Sequence, residues 1–171
     1  MLAIHLARDF MEIALQEAEI AKENGDVPVG VVITCNSEVI AKSHNQVVLL
    51  NDALAHAEII AIKEASNKIN QKYLNECDMY VTLEPCPMCA GAIVLARIRR
   101  VYIGTEDAKT GAGGSVYNIL QDKKLNHYCE VYNGIAQIQC SKILSDFFSN
   151  IRDKKRNNHI FQVIISHSPI I

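Results

Sequence analysis

The stretch DMYVTLEPCPMCAGAIVLA, residues 78–96, decides the fold. Its first six residues carry β-branched and aromatic side chains and predict a strand. Pro85 and Pro87 stop the ladder, because proline has no N–H to donate, and suit the start of a helix. That helix continues as AGAIVLA over 90–96. It is apolar on every side, which predicts burial against a sheet and against something more, such as a second subunit. Cys86 and Cys89 fall at its N-terminal end.

The alternation continues on both sides of this stretch. Ile4, Ala7, Met11, Ala14, Leu15, Ala18 and Ala21 recur at helical spacing, and Asn24-Gly25 ends the pattern. Two segments rich in β-branched residues, 27–35 and 38–42, flank the turn pair Asn36-Ser37 and predict a hairpin. Asp52 is the expected cap of a second helix reaching about residue 70, with His56 in its first turn and Glu58 close behind. A strand at 100–105, a Gly-rich loop at 106–115, a strand at 130–135 and a helix at 138–151 complete the order. Helices and strands in this sequence predict an α/β fold, a three-layer α/β/α sandwich around a five-stranded mixed sheet.

With 171 residues, 49% of them hydrophobic, the chain is sized for one domain, assigned to 1–156. The tail 157–171 follows a charged run and has no evident partner element, so it is expected to be a docked extension or disordered. A net charge of −2 excludes a generally cationic nucleic-acid coat and leaves room only for a local basic patch. No stretch reaches the roughly 18 to 20 apolar residues that span a bilayer, and Arg8 and Asp9 interrupt any secretory signal. A cytoplasmic protein without a membrane partner is expected. Six cysteines are few for a disulfide framework, and the one close pair, Cys86 and Cys89, has the spacing of a metal knuckle or a redox motif. Cys35, Cys77, Cys129 and Cys140 match no metal spacing and read as core or neutral positions.

His56 with Cys86 and Cys89 supplies one imidazole and two thiolates, donors that zinc prefers, and leaves a fourth tetrahedral position open. Three protein ligands is the count of a catalytic zinc; a structural site is closed by four. Glu58 is read as the acid/base beside it. Residues two apart point to different sides of a regular helix, so His56 and Glu58 share a site only at the helix mouth.

HAE at 56–58 with PCPMC at 85–89 resembles the H-x-E…P-C-x-x-C signature of the cytidine/nucleoside deaminase superfamily. DVPVGVV (26–32), HNQ (44–46), DAKTGAGGS (107–115) and LSDFF (144–148) are similar to bacterial tRNA-specific adenosine deaminases, with coverage from about residue 8 to 155. This resemblance implies a cytidine deaminase-like fold, one Zn2+ per subunit, and a homodimer that binds the anticodon stem-loop of a tRNA. It implies hydrolytic deamination of the wobble adenosine to inosine, with release of ammonia. Glu58 would carry the protons. Asn45 would hold the purine, and Val29 and Leu83 would line its pocket. Asp107, Lys109 and Thr110 offer an acceptor, a cation and a hydroxyl to the RNA, and Asp107 is expected to read the ribose 2′-OH. His127, Arg97, Arg99, Arg100, Arg152, Lys154, Lys155 and Arg156 are further candidates for RNA contact. The chain departs from several relatives at Asn24-Gly25 and Gln46-Val47, where those carry extra cationic or Arg-Pro residues. Two competing functions are a free-purine deaminase of the guanine type on the same zinc site and a zinc-stabilised RNA-binding module without catalysis.

Overall fold

The computed structural model describes residues 2–166; residues 167–171 of the expected tail lie outside the described residues. Helix α1 (Leu2–Glu23) buries Ala7, Met11, Ala14, Ala18 and Ala21 along one face. This small-residue face lets the helix settle directly on the sheet. A Cβ built on Gly30 would lie 1.9 Å from the Ala14 carbonyl oxygen, so only glycine fits there.

Strands β1 (Gly30–Cys35) and β2 (Glu38–His44) form the expected hairpin. Asn36 and Ser37 both take positive φ, 51° and 64°, the two-residue turn whose twist matches the strands. Strand β1 begins later than its composition suggests. Pro28 cannot donate to a ladder, and the Val29 N–H turns back to the Val27 carbonyl at 2.8 Å.

Strand β3 (Cys77–Leu83), helix α4 (Pro87–Ala96) and strand β4 (Arg100–Thr105) form a parallel crossover over the stretch 78–105. With β5 (Glu130–Asn133) the sheet order is β2-β1-β3-β4-β5, antiparallel on the hairpin side and parallel on the other. Period-two alternation buries both faces. Val31, Ile33, Met79 and Val81 face the helices α3 (Ala57–Ile69) and α4. Val32 and Tyr80 face α1 and α5 (Gln137–Ser166). The result is the expected α/β/α sandwich with a five-stranded mixed sheet.

Other boundaries differ too, and β5 stops at Asn133, short of the expected 135. Asp52 does not cap α3. Its carboxylate takes the Leu54 N–H at 2.8 Å, and turns closed by Ala55 and His56 use up the chain to residue 56. His56 is therefore the N-cap itself. Before it stands a helix the pattern did not reveal, α2 (Val47–Leu50), ended by Asn51 at φ 50°. Helix α5 runs to Ser166, well past residue 151 and through 157–166 of the expected tail. No helix among the described residues is long and apolar enough to cross a membrane.

Candidate active site

His56 and Cys86 occupy equivalent places, the N-caps of α3 and α4, both with extended backbone (φ −71°, ψ 146° and φ −70°, ψ 171°). Neither spends its side chain capping its own helix. The imidazole and the thiol are therefore free to meet, with the positive ends of two helices behind them. His56 Nδ1 lies 3.4 Å from Cys89 Sγ and 3.8 Å from Cys86 Sγ, and the three donor atoms lie within 4.8 Å of one another. Donors held about 2.0–2.3 Å from a tetrahedral zinc stand roughly 3.3–3.8 Å apart, so the triad fits that ion.

The protonation chemistry agrees with this fit. A hydrogen bond from Cys89, with His56 beside it, pulls the Cys86 thiol down to about 4 against the effect of burial. Cys86 in turn pushes Cys89 well above the usual thiol range, helped by burial. His56 is raised by its contact with Cys86. One thiolate thus gathers protons from two neighbours, and a divalent cation can take their place.

Glu58 follows in the first turn of α3, 4% exposed. Burial raises its pKa, opposed in part by its own backbone N–H and by His56. His56, Cys86 and Glu58 open on one cavity of ≈ 270 Å³, which Asn45, Val29, Leu83, Asp107 and Thr110 also line. That is slightly under the range of about 300–1,000 Å³ for sites of drug-sized ligands, and suits a single base. Cys89 is fully buried. Lys109 does not line the cavity and stands exposed on the same loop.

Two buried carboxylates that line the cavity escaped the sequence reading, Asp26 and Glu84. Asp26 Oδ1 accepts from Asn45 Nδ2 (3.2 Å) and the Val48 N–H (2.9 Å), and Oδ2 from the Leu49 N–H (3.1 Å). A carboxylate only accepts, so Asn45 must turn its NH2 toward Asp26, which leaves its carbonyl oxygen and second N–H for other partners. Glu84 Oε1 accepts from the Gly113 and Ser115 N–H groups (2.8 and 3.1 Å), and Oε2 from that of Asp107 (2.9 Å). Burial would raise the Glu84 pKa, but Ser115 and these amides leave it below its ordinary value. A Cβ on Gly111 would lie 2.3 Å from Glu84 Oε2, so the glycines of the loop let its backbone close around this carboxylate. The available signals were DVPVG and TLEPC, in which Asp26 and Glu84 stand beside residues already singled out.

Other expected RNA contacts are otherwise engaged. Asp107 accepts from the Thr110 hydroxyl (2.6 Å) and the Lys109 N–H (2.9 Å) within its own loop. Arg99 forks onto Asp78 with two bonds of 3.0 Å, and Arg100 binds Glu130 at 3.1 Å. Arg97 stacks over Tyr73, and His127 Nε2 bonds the Ile98 carbonyl at 2.7 Å. Arg156 lies 3.9 Å from Asp153 on an exposed helix surface. Sequence alone does not separate a cation that serves the framework from one left for a ligand.

A family model for MafB19-like deaminases matches residues 7–152, which defines the class of the fold and its site. The Bacillus subtilis protein named tRNA-specific adenosine deaminase is 43% identical over 147 residues, 86% of this chain and 91% of its own. A solved structure from work on A-to-I editing by tRNA:A34 deaminases at the wobble position of transfer RNA is 46% identical, with a TM-score of 0.77 over 80% of this chain and 99% of that one. A guanine deaminase from Nitrosomonas europaea shares the fold at 20% identity, with a TM-score of 0.71 over 82% of this chain and 83% of that one. The chain belongs to the bacterial tRNA-specific adenosine deaminase family.

Proposed function

We infer that the chain deaminates the wobble adenosine of a tRNA anticodon to inosine and releases ammonia. The observation that carries this reading is that the His56, Cys86 and Cys89 cluster meets one base-sized cavity, lined by His56, Cys86 and Glu58, in a chain of this family. His56 Nδ1 and the two thiolates would hold one zinc ion per subunit. When bound, zinc supplies a Lewis acid that lowers the pKa of a coordinated water toward about 7.

The remaining work falls to the chain's own residues. Glu58, which burial leaves easier to protonate than an exposed carboxylate, takes a proton from the water whose oxygen bonds to C6 and passes it to N1 of the purine. It then takes that water's second proton and passes it to the amine departing from C6, leaving the carbonyl. Asn45, fixed by Asp26, holds the base edge, and Val29 and Leu83 pack against the ring. A base enters such a cavity only when splayed from its stack, which a single-stranded anticodon loop permits. Asp107, Thr110 and Lys109 sit on the loop that meets the ribose and phosphate. The tRNA substrate locates the enzyme in the cytoplasm.

We also read the chain as a homodimer. On α4 the stripe Met88, Ala92 and Leu95 is not fully covered, with Leu95 77% exposed, and Val48, Leu49, Leu50 and Leu54 are exposed as well. A second copy that buries these side chains accounts for the all-apolar helix. Sedimentation as a stable monomer at micromolar concentration would overturn this.

The deciding experiment incubates the zinc-loaded protein with unmodified tRNA and, separately, with free guanine, then chromatographs the products. Inosine from tRNA is expected. Xanthine from guanine without inosine assigns the chain to free purines, and no zinc-dependent turnover on either substrate leaves an RNA-binding module.

A further inference from the structure

Outside the cavity the chain places two more thiols together. Cys35 ends β1, Cys77 opens β3, and the antiparallel register sets them directly opposite. The Cys77 N–H donates to the Leu74 carbonyl, and its C=O accepts from the Arg99 N–H and so points to the β4 side of the strand, away from Cys35. The two residues therefore form a non-hydrogen-bonded pair, the kind in which side chains stand closest, with Cα atoms about 4.5 Å apart. That separation lies inside the span that a disulfide bridges. Both side chains face the same core, Cys77 fully within it and Cys35 packed against it at partial exposure. Cys129 and Cys140 have no such partner and bond to the carbonyls of Ile98 and Ile135 instead.

We propose that Cys35 and Cys77 are a disulfide site, closed by exchange with a low-molecular-weight disulfide such as oxidised glutathione. The more accessible Cys35 sulfur, as thiolate, attacks one glutathione sulfur and expels the first glutathione. The Cys77 sulfur then displaces the second glutathione from Cys35 and completes the S–S bond. The two thiol protons and the two electrons leave with the two reduced glutathiones. Burial, with Cys35 beside it, holds the Cys77 thiol up at about 12, so Cys77 does not begin the exchange and its closure step is slow.

The location sets the consequence. Leu83, at the other end of β3, lines the cavity, roughly 20 Å along the strand from Cys77. The bond would close a loop over 36–76, which contains Asn45, His56 and Glu58. It fastens the segment that carries Asn45, His56 and Glu58 without touching their side chains. This inference stands independently of the proposed function.

The full-length, zinc-loaded protein is equilibrated with oxidised glutathione, alkylated, and digested without reductant by trypsin and an enzyme that cuts before aspartate. Cleavage before Asp78 separates Cys77 from Cys86 and Cys89. A cross-linked pair of peptides carrying Cys35 and Cys77, lighter than their sum by two hydrogens, is expected. With it the melting temperature rises by roughly 10 °C, dithiothreitol reverses the rise, and the Cys35→Ser variant shows neither. Glutathione trapped on Cys35 with Cys77 alkylated, or both cysteines alkylated, overturns the proposal. Loss of zinc or of base-cavity binding on closure overturns the separation from the site.

Discussion

The two walls of the cavity are built by opposite means. On the wall formed by the starts of α3 and α4, the side chains of His56 and Cys86 make no capping bonds to their own helices, and His56 Nδ1 meets Cys89 Sγ at 3.4 Å and Cys86 Sγ at 3.8 Å. On the wall formed by the 107–115 loop the polar groups are already used. Asp107 holds Thr110 and the Lys109 amide, and Glu84 holds three loop amides. The first wall presents reactive side chains on rigid helix termini. The second presents a backbone surface whose shape is set from within by one carboxylate. Under the proposed function, chemistry depends on single atoms on one side, and recognition on a folded segment on the other.

The sharpest way to break this contrast is to remove one atom group from each role on the helix wall. Cys86→Ala should lose zinc and activity together, measured as metal content by mass spectrometry after dialysis. Glu58→Ala should keep zinc and tRNA binding while kcat falls by about 10²–10⁴-fold, the usual contribution of a positioned acid/base. Loss of metal in Glu58→Ala would make Glu58 a ligand and merge the two roles.

Glu84→Ala tests the loop wall. It should leave the zinc content unchanged and raise KM for tRNA by roughly tenfold, because three loop amides, that of Gly113 buried, lose their acceptor. A fall in kcat at constant KM would place Glu84 with the chemistry instead. Asp107→Asn refines the same wall. Its carboxylate is partly taken up by Thr110 and Lys109, yet it lines the cavity. The preference for RNA over a DNA anticodon loop should narrow, and an unchanged ratio would reduce Asp107 to a loop brace.

The same contrast explains what the sequence disclosed. The triad was legible because zinc chemistry restricts ligand types and because Pro85 and Pro87 fix where α4 begins. The mixed five-stranded sheet followed from two β-branched runs flanking a turn and from the strand-helix-strand of 78–105, whereas the order of its strands came only with the structure. The start of α3 was misplaced because Asp52 has the chemistry of a cap but spends it on a turn closed at Leu54. Short α2 was invisible, since Val47–Leu50 has no helical period to display and is capped from a distant element through Asp26. Asp26 and Glu84 were missed for a related reason. Their partners are backbone amides, which every residue carries and no motif marks.

The smallest effect tests how the loop-like logic extends behind the site. Glu17, 5% exposed on α1, binds Lys42 at 3.0 Å and His44 at 2.9 Å, and His44 precedes Asn45. Burial acts to raise the Glu17 pKa, but His44 and Lys42 together leave it below 4.5. A carboxylate depressed on folding contributes stability above its unfolded pKa and loses it as pH falls through the folded value. Glu17 should therefore support the fold fully near pH 7 and progressively less below about 4.5. Glu17→Gln should lower the melting temperature by about 2–4 °C at pH 7, the equivalent of roughly 1 kcal/mol, and flatten its decline in acid. Lys42 is 60% exposed, so solvent screens that arm and the larger share falls to His44. If Glu17→Gln instead weakened tRNA turnover at unchanged stability, the His44 contact would act on Asn45 and not on the fold, and the division between the two walls would have to include α1.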